Sequence, residues 1–530
     1  MPLPREAVST PSPAIASKWT ASAVASIALY IAVCAVAASV LPTSIWLSHS
    51  RPFFGILGAF GVWRYGWWLT HVVRANIYAR RVYPQLSHRA TEAWQSGWRP
   101  DRLHFLVTVY RERAETIEAV LAAICVEVRA LGMPAIVWIG SKEAPDEVTV
   151  ERCLARFGAD LDLHLRFVRQ TGSGKRNAIA LILAAMAREG LTSNDFVAFM
   201  DSDFILSPGA LRTCLPLFAT DPNLHAVTTD EDCVVHGPAW VRTWLNMRFA
   251  QRRLAMQSHA LSGRVLTLTG RFSLFRGTHI VTPEFIHLVE RDMLDHWLWG
   301  EFRFLSGDDK STWYALLRVG ARMLYVPDAH GVTIEVYEGS STRRMTENLR
   351  RWSGNMLRNG SRAIALGPRR MPLFIWWCLV DQRLAMWTML FGPLCAVIGA
   401  IKLGPLFLVA YAVYVAVTRL VTSLVLFTYS RTVDLNYTWS LYANQLLNSV
   451  VKLYMIWRLP KQRWVNRGNQ RSGSSGGAVL AAARTIMAAY LTGLSVLLLL
   501  VLALALTTQL TLPSLPILRA LISDFLSPSL

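Results

Sequence analysis

Two carboxylates stand two residues apart in Val197-Ala198-Phe199-Met200-Asp201-Ser202-Asp203, at the end of an apolar run that reads as a buried strand. At the C-terminal edge of a parallel sheet, such a pair can hold a divalent cation that is also bound to a diphosphate. The spacing recurs in Asp160-Leu161-Asp162 and Asp230-Glu231-Asp232, but only the first pair follows a clean hydrophobic run. A solvated strand-end turn would read the same way. A second acid pair follows a glycine in Leu305-Ser306-Gly307-Asp308-Asp309-Lys310. Adjacent carboxylates repel each other, so one of the two can serve as a general base near neutral pH. A charged surface turn is the alternative.

Three further segments can complete such a site. Gly172-Ser173-Gly174-Lys175-Arg176 opens a helical stretch, and glycines with Lys175 and Arg176 at a helix N-terminus suit a phosphate or nucleotide. The spacing is not that of a P-loop, and a plain basic helix start fits as well. The first apolar strand ends in Thr108-Val109-Tyr110-Arg111-Glu112. Thr108, Tyr110 and Glu112 can grip a nucleobase and ribose, or form an ordinary strand-to-helix turn. In Asn348-Leu349-Arg350-Arg351-Trp352, Arg351 can clamp a leaving diphosphate and Trp352 can stack on a sugar ring. A membrane-surface anchor reads equally well there.

The elements that must position these residues follow from composition and periodicity. The chain has 530 residues, 53% hydrophobic and only 17% charged, with 20 Trp and a formal charge of +19. Soluble domains carry about 25% charged residues. Disordered chains need low hydrophobicity. The balance therefore points to a membrane protein with basic loops. Residues 101–345 carry 27 Lys+Arg against 29 Asp+Glu, a net of −2, which leaves +21 for the rest and argues against nucleic-acid binding. The seven Cys form no Cys-x-x-Cys pair and read as free thiols in a reducing compartment.

Residues 1–19 read as a disordered N-terminus, and 20–73 as two transmembrane helices, 20–41 and 52–73. Residues 101–340 alternate short apolar runs with helical patterns, the signature of an α/β domain on a parallel sheet. Residues 341–383 read as interfacial helices, 384–401 and 406–427 as two more spans, and 436–459 as an interfacial helix. A basic loop, 460–477, a last span, 478–509, and a tail, 510–530, complete the chain. The Arg-rich stretch after the second span places the α/β domain in the cytoplasm.

The order of these segments between spans resembles the processive family 2 glycosyltransferases: cellulose, hyaluronan and chitin synthases. That family has a strand-end Thr/Tyr/Glu segment, Asp-x-Asp, a Thr-Glu-Asp or Gly-Asp-Asp base motif and Gln-x-x-Arg-Trp. Arg463-Trp464-Val465-Asn466-Arg467-Gly468 resembles its gating loop, through Trp464 and Arg467. Between about 41 and 464, Gly61-Val62-Trp63-Arg64-Tyr65, Arg264-Val265-Leu266-Thr267-Leu268-Thr269-Gly270-Arg271 and Gly307-Asp308-Asp309-Lys310-Ser311 are similar to the glycosyltransferase subunits of bacterial alginate (mannuronan) polymerases. Two departures stand out. Asn348 replaces the family's Gln, and the second strand ends in Ile139-Gly140-Ser141-Lys142-Glu143 where an Asp is usual, which leaves Glu143 as its substitute.

The resemblance implies a GT-A type nucleotide-sugar domain inserted in an α-helical membrane domain, with Mg²⁺ (or Mn²⁺) as cofactor. It implies that Asp203 holds the metal with Asp201 beside the nucleotide, and that Asp309, or else Asp308, is the base of an inverting transfer. Thr269, Gly270 and Arg271 match the segment beside the acceptor. Such enzymes polymerise and export, so Arg64 and Arg419, charges within spans, become channel candidates. The expected product is poly-β-1,4-mannuronate from GDP-mannuronate, made at the bacterial inner membrane with a PilZ-domain co-polymerase and export proteins as partners. Arg467-x-x-x-Arg471 resembles the opening of a PilZ motif, but the mostly apolar remainder leaves no room for a β-barrel. The alternatives are a synthase of another β-linked glycan from a UDP-sugar and a non-processive lipid glycosyltransferase. The Arg-Trp and loop segments favour a polymerase.

Overall fold

The computed structural model describes residues 19–46, 51–170, 174–337, 339–464, 470–471 and 477–510. Helices α1 (Ala21–Val40) and α2 (Arg51–Ile77) lead through a π-helical turn at Tyr78–Val82 into α3 (Tyr83–Gln95). The α/β domain follows as β1 (Leu103–Thr108), α4 (Ala114–Leu131), β2 (Ala135–Ser141), α5 (Ala144–Phe157), β3 (Leu163–Arg169), α6 (Lys175–Glu189) and β4 (Phe196–Asp201). It continues with β5 (Phe204–Leu206), α7 (Ala210–Cys214), β6 (Leu224–His236), α8 (Ala239–Ala260), β7 (Phe272–Arg276), α9 (Gly277–Ile280) and α10 (Pro283–Glu290). The hairpin β8 (Met293–His296) and β9 (Gly300–Arg303), then α11 (Asp308–Arg318) and β10 (Arg322–Val336), complete it. Then come α12 (Ser341–Ala365), α13 (Leu373–Leu403), α14 (Leu406–Phe427), α15 (Tyr437–Ile456), the short pair β11 (Arg463–Trp464) and β12 (Gln470–Arg471), and α16 (Ala478–Leu506).

One eight-stranded sheet runs in the order β3-β2-β1-β4-β7-β6-β10-β5. β1 and β2 are buried along their whole length because helices cover both faces, as a parallel sheet requires. β1 pairs in parallel with β2 and β4, and the register sets Thr108 beside Asp201 at one edge. β7 is antiparallel to both β4 and β6. This is a GT-A type fold. Two residues after β4, β5 pairs with the last part of β10, beyond a register break between Val326 and His330. The intervening turn carries Ser202 and Asp203, and the Asp203 carbonyl accepts from the Ile334 amide at 3.2 Å.

Among the described residues, four helices, α1, α13, α14 and α16, are long and apolar enough to cross a membrane. The second expected span lies on α2, which is not among them and carries Arg51, Arg64 and Arg74. α15 occupies the stretch read as an interfacial helix. Of the expected N-terminus 1–19 and tail 510–530, residues 1–18 and 511–530 lie outside the described residues. All seven Cys are unpaired.

Polar ties join the two halves. The Tyr78 hydroxyl donates to the Tyr325 carbonyl at 2.6 Å. Gln462, after α15, accepts from the Leu305 amide at 3.0 Å and donates to the Arg303 carbonyl at 2.9 Å. That second tie fixes the loop that feeds the Asp308-Asp309 pair.

Candidate active site

The strand-end acids and the helix-start acids meet. The Lys175 ammonium, at the first turn of α6, lies 2.6 Å from Asp201 and 2.8 Å from Asp308. Gly270 closes the same space: a Cβ there would lie 3.6 Å from the Lys175 ammonium and 3.8 Å from both Asp201 and Asp308. A cavity beneath is lined by Thr108, Lys175, Thr269, Gly270, Asp308 and Asp309, among others. The Thr108 hydroxyl is buried there without a hydrogen-bond partner.

The turn before α11 is built for these acids. Gly307 has φ +88, and a Cβ on it would come within 2.7 Å of the Asn355 side chain on α12. Only glycine tolerates both conditions. Asn355 Oδ1 accepts from the Ser306 hydroxyl at 3.0 Å, so α12 holds the turn. Asp308 and Asp309 then begin α11, where the helix N-terminus favours negative charge.

The pair is electrically unequal. Burial pushes the Asp308 carboxyl up, but Lys175 beside it and Arg176 behind it outweigh burial and hold it below the ordinary value. Burial, and then Asp308, push the Asp309 carboxyl up. Two neighbouring carboxyls with values driven apart is the arrangement expected of a base and its electrostatic partner. Lys310 turns away, and its ammonium donates to the Leu266 carbonyl at 2.5 Å. Arg351, on α12, is pushed below its ordinary value by burial, against the opposing charges of Glu335, Asp309, Asp201 and Asp308. Its guanidinium also donates to Asn348 Oδ1 at 3.4 Å, so the residue that departs from the family motif touches the arginine of that motif.

Asp203 sits among acids. Burial first, and then Asp201, push its carboxyl up to about 7, with Glu335 and Glu112 adding to the rise and Arg271 opposing it. Hard carboxylate oxygens short of compensating charge suit Mg²⁺ or Mn²⁺. Asp203 fits a divalent cation on this ground, whereas Asp201 beside it is already paired with the Lys175 ammonium at 2.6 Å.

Other expected residues are placed differently. Arg176 is a correction: it lies beneath the site, with its guanidinium buried against the Val289 carbonyl (2.6 Å), the Gly307 carbonyl (3.4 Å) and the Ser311 hydroxyl. The reason is Asp292, 3.7 Å away, which draws it under α11. Arg271 is bridged by Glu231 at 3.2 Å and Glu335 at 3.0 Å, and its charge opposes the rise of the Asp203 carboxyl. The Thr269 hydroxyl bonds the Phe272 carbonyl at 2.9 Å and so shapes the loop. Tyr110 lies under the cations of Arg111 and Lys142. Glu143 pairs with Arg111 at 2.9 Å on the surface. The acid that reads Ser141 at the end of β2 is Glu147, which also bonds Arg169; a helix-borne acid six residues on leaves no strand-end signature. Trp352 stacks on Trp244 at 6.3 Å.

Both channel candidates have protein partners. Arg64 pairs with Asp381 of α13 at 2.7 Å and donates to the Thr388 hydroxyl at 3.0 Å. Arg419 donates to the Tyr65 hydroxyl at 2.7 Å. Trp464 lies in β11, and Arg467 lies outside the described residues.

Residues 100–355 match the Glycosyltransferase like family 2. The glycosyltransferase alg8 of Pseudomonas syringae pv. tomato is 38% identical over 436 residues, 82% of this chain and 88% of that protein. The glycosyltransferase alg8 of Azotobacter vinelandii is 36% identical over 445 residues, 83% and 89% of the two chains. A mannosyltransferase of Pyrobaculum calidifontis, solved with GDP-Man and Mn²⁺, shares 19% identity at a TM-score of 0.42 over 76% of this chain and 98% of that one. By its matched domain and its long alignments, this chain is a family 2 glycosyltransferase enzyme and belongs to the family of the alg8 glycosyltransferases.

Proposed function

We propose that this enzyme is an inverting, processive synthase of poly-β-1,4-mannuronate that uses GDP-mannuronate and exports its product across the bacterial inner membrane, with the catalytic domain on the cytoplasmic side. The observation that carries the reading is the meeting of Lys175, Asp201, Asp308, Asp309 and Arg351 beside Gly270, on a sheet edge joined to apolar helices. The alg8 likeness supports the alginate type of polymer.

In this reading the donor diphosphate lies against Asp201 and Asp203. A divalent cation bound by them would neutralise leaving-group charge. Thr108, Tyr110 and Glu112 would take the nucleoside. Lys175 stands between donor and base, and holds Asp308 ionised. Asp309 takes the proton from the acceptor 4-hydroxyl as that oxygen attacks the anomeric carbon from the face opposite the diphosphate. An α-linked donor thereby becomes a β-linked product. Arg351 steadies the departing diphosphate as its charge develops. Trp352, paired with Trp244, stacks on the acceptor sugar. A PilZ-domain co-polymerase and export proteins complete the machine, and Trp464 and Arg467 belong to a loop that gates donor access.

The test is to supply membranes carrying the full chain, with and without such a partner, with GDP-mannuronate and Mg²⁺, and with UDP-sugars in parallel. The expected product is a polymer cut by a mannuronate-specific lyase. Polymer from a UDP-sugar alone, or none under any condition, would overturn the assignment.

A further inference from the structure

Three cations converge behind the paired tryptophans with no carboxylate to meet them. Asn444, Asn448 and Lys452 recur every four residues, so they share one face of α15. That face looks inward. Asn444 Oδ1 accepts from the Trp244 indole at 2.9 Å and from Arg248 at 3.5 Å, and the Asn448 amide donates to the same oxygen at 3.0 Å. The Arg248 guanidinium lies 4.6 Å from the centre of the Trp352 ring and 5.2 Å from that of Trp244. Lys452 extends this stripe by one turn. Arg383, at the near end of α13, reaches the same region, where it donates to the Ser361 hydroxyl of α12 at 2.8 Å and to the Leu357 carbonyl. Burial, with Arg248 and Arg383 as the charged neighbours, pushes the Lys452 ammonium down to about 8.

Among the described residues, no ion pair involves Arg248, Arg383 or Lys452. Arg64, by contrast, has Asp381. The three cations and Trp352 all keep part of their surface exposed although helices enclose them. Like charges gathered in a part-wet recess without counter-charge are costly unless an anion occupies it. The ligand must also reach the indole pair, and Trp352 adjoins Arg351 of the acid cluster. A lipid headgroup explains the charge but not the tryptophans.

We propose that Arg248, Arg383 and Lys452 form a carboxylate-binding subsite for the acidic sugars of the product chain, just past the acceptor position. This rests on the polyuronate reading and names how the enzyme would distinguish an acidic chain from a neutral one. Arg248, against two indole faces, reads the first sugar beyond Trp352. Arg383 and Lys452 read the next.

The experiment uses the full chain in nanodiscs. It compares binding of mannuronate oligomers with that of the same oligomers after their carboxyls are reduced to alcohols. Wild type is expected to bind the acid form at least about tenfold more tightly, the scale of one charge-assisted hydrogen bond. K452Q and R248Q should each remove most of that preference and shorten the polymer, K452R should restore it, and neutral oligomers should bind all forms alike. Melting curves and GDP affinity check that each variant is folded. Equal binding of acid and neutral oligomers by wild type, or equal loss of both in K452Q, overturns the subsite. A preference that appears only in anionic-lipid nanodiscs overturns it in favour of a headgroup site. Polymer synthesis from GDP-mannuronate by wild type, scored in the same preparation, reports separately on the function reading.

Discussion

Asp201-Ser202-Asp203, at the end of β4, and Asp230-Glu231-Asp232, within β6 of the same sheet, have the same spacing yet opposite fates. Asp230 receives Arg253 at 2.7 Å and Asp232 receives His330 at 2.9 Å, Arg253 and Arg431. Glu231 is bridged by Arg252 at 3.3 Å and by Arg271 at 3.2 Å. Burial pushes the Asp232 carboxyl up, but Arg253, His330 and Arg431 overpower it and hold it well below the ordinary range. Asp203, with more acids than bases around it, is pushed the other way. Asp230, Asp232 and His330 approach closely enough to resemble a metal cluster, but two arginines already supply the positive charge. The first triplet keeps one acid, Asp203, without such compensation. The second is a lock that ties β6 to α8 and to the loop after α14. What separates them is the charge brought by distant segments, not their own spacing.

Four substitutions sharpen that contrast. Asp309→Asn should lower polymer formation most, by about 10³-fold, while donor binding measured with GDP persists. Arg253→Ala should act on stability instead. It takes from the buried Asp230 its nearest cation and leaves it Arg431 at 3.5 Å and the Tyr325 hydroxyl at 2.9 Å, at a cost of about 3 kcal/mol seen as a lower melting temperature. The surviving folded enzyme should bind GDP normally; a specific loss of donor binding at full stability would mean that the lock belongs to the site. Arg351→Ala should lower turnover by about 10²-fold with little change in melting. Glu143→Gln should have the smallest effect, because its pairing with Arg111 is solvent-exposed. Donor KM and melting temperature should stay near wild type, and a large rise in KM would return Glu143 to the base-reading position.

The sequence legibly marks the strand and the acids at its end, because Val197–Met200 is an uninterrupted apolar run and the following polar residues must emerge at the sheet edge. It also marks Gly307-Asp308-Asp309 as a turn into a helix. It does not show that Lys175 joins the two acid pairs, since that contact depends on the tertiary approach of α6 and α11. Arg176 illustrates the same limit. One residue further along α6, it falls on the inner face and is drawn to Asp292, which no local pattern connects to it. Arg64 stands out as a charge in an apolar helix, but its counter-charge, Asp381, lies 317 residues away on α13. The subsite cations are visible as single letters on three separate helices and become a group only when α8, α13 and α15 pack.

The most direct test of the central claim is the pH profile of kcat/KM for wild type and Asp308→Asn. Asp309 is raised by burial and by the Asp308 charge, and it must be ionised to accept a proton. Activity should therefore fall on acidification at a pH above the ordinary carboxylate range. Removing the Asp308 charge lowers the cost of ionising Asp309, so the acid limb should move to lower pH in the variant. Asp232 is held low and stays ionised across this range, so the lock should contribute no limb. An acid limb at ordinary carboxylate values, unmoved by Asp308→Asn, would contradict the assignment of Asp309 as a base tuned by its neighbour.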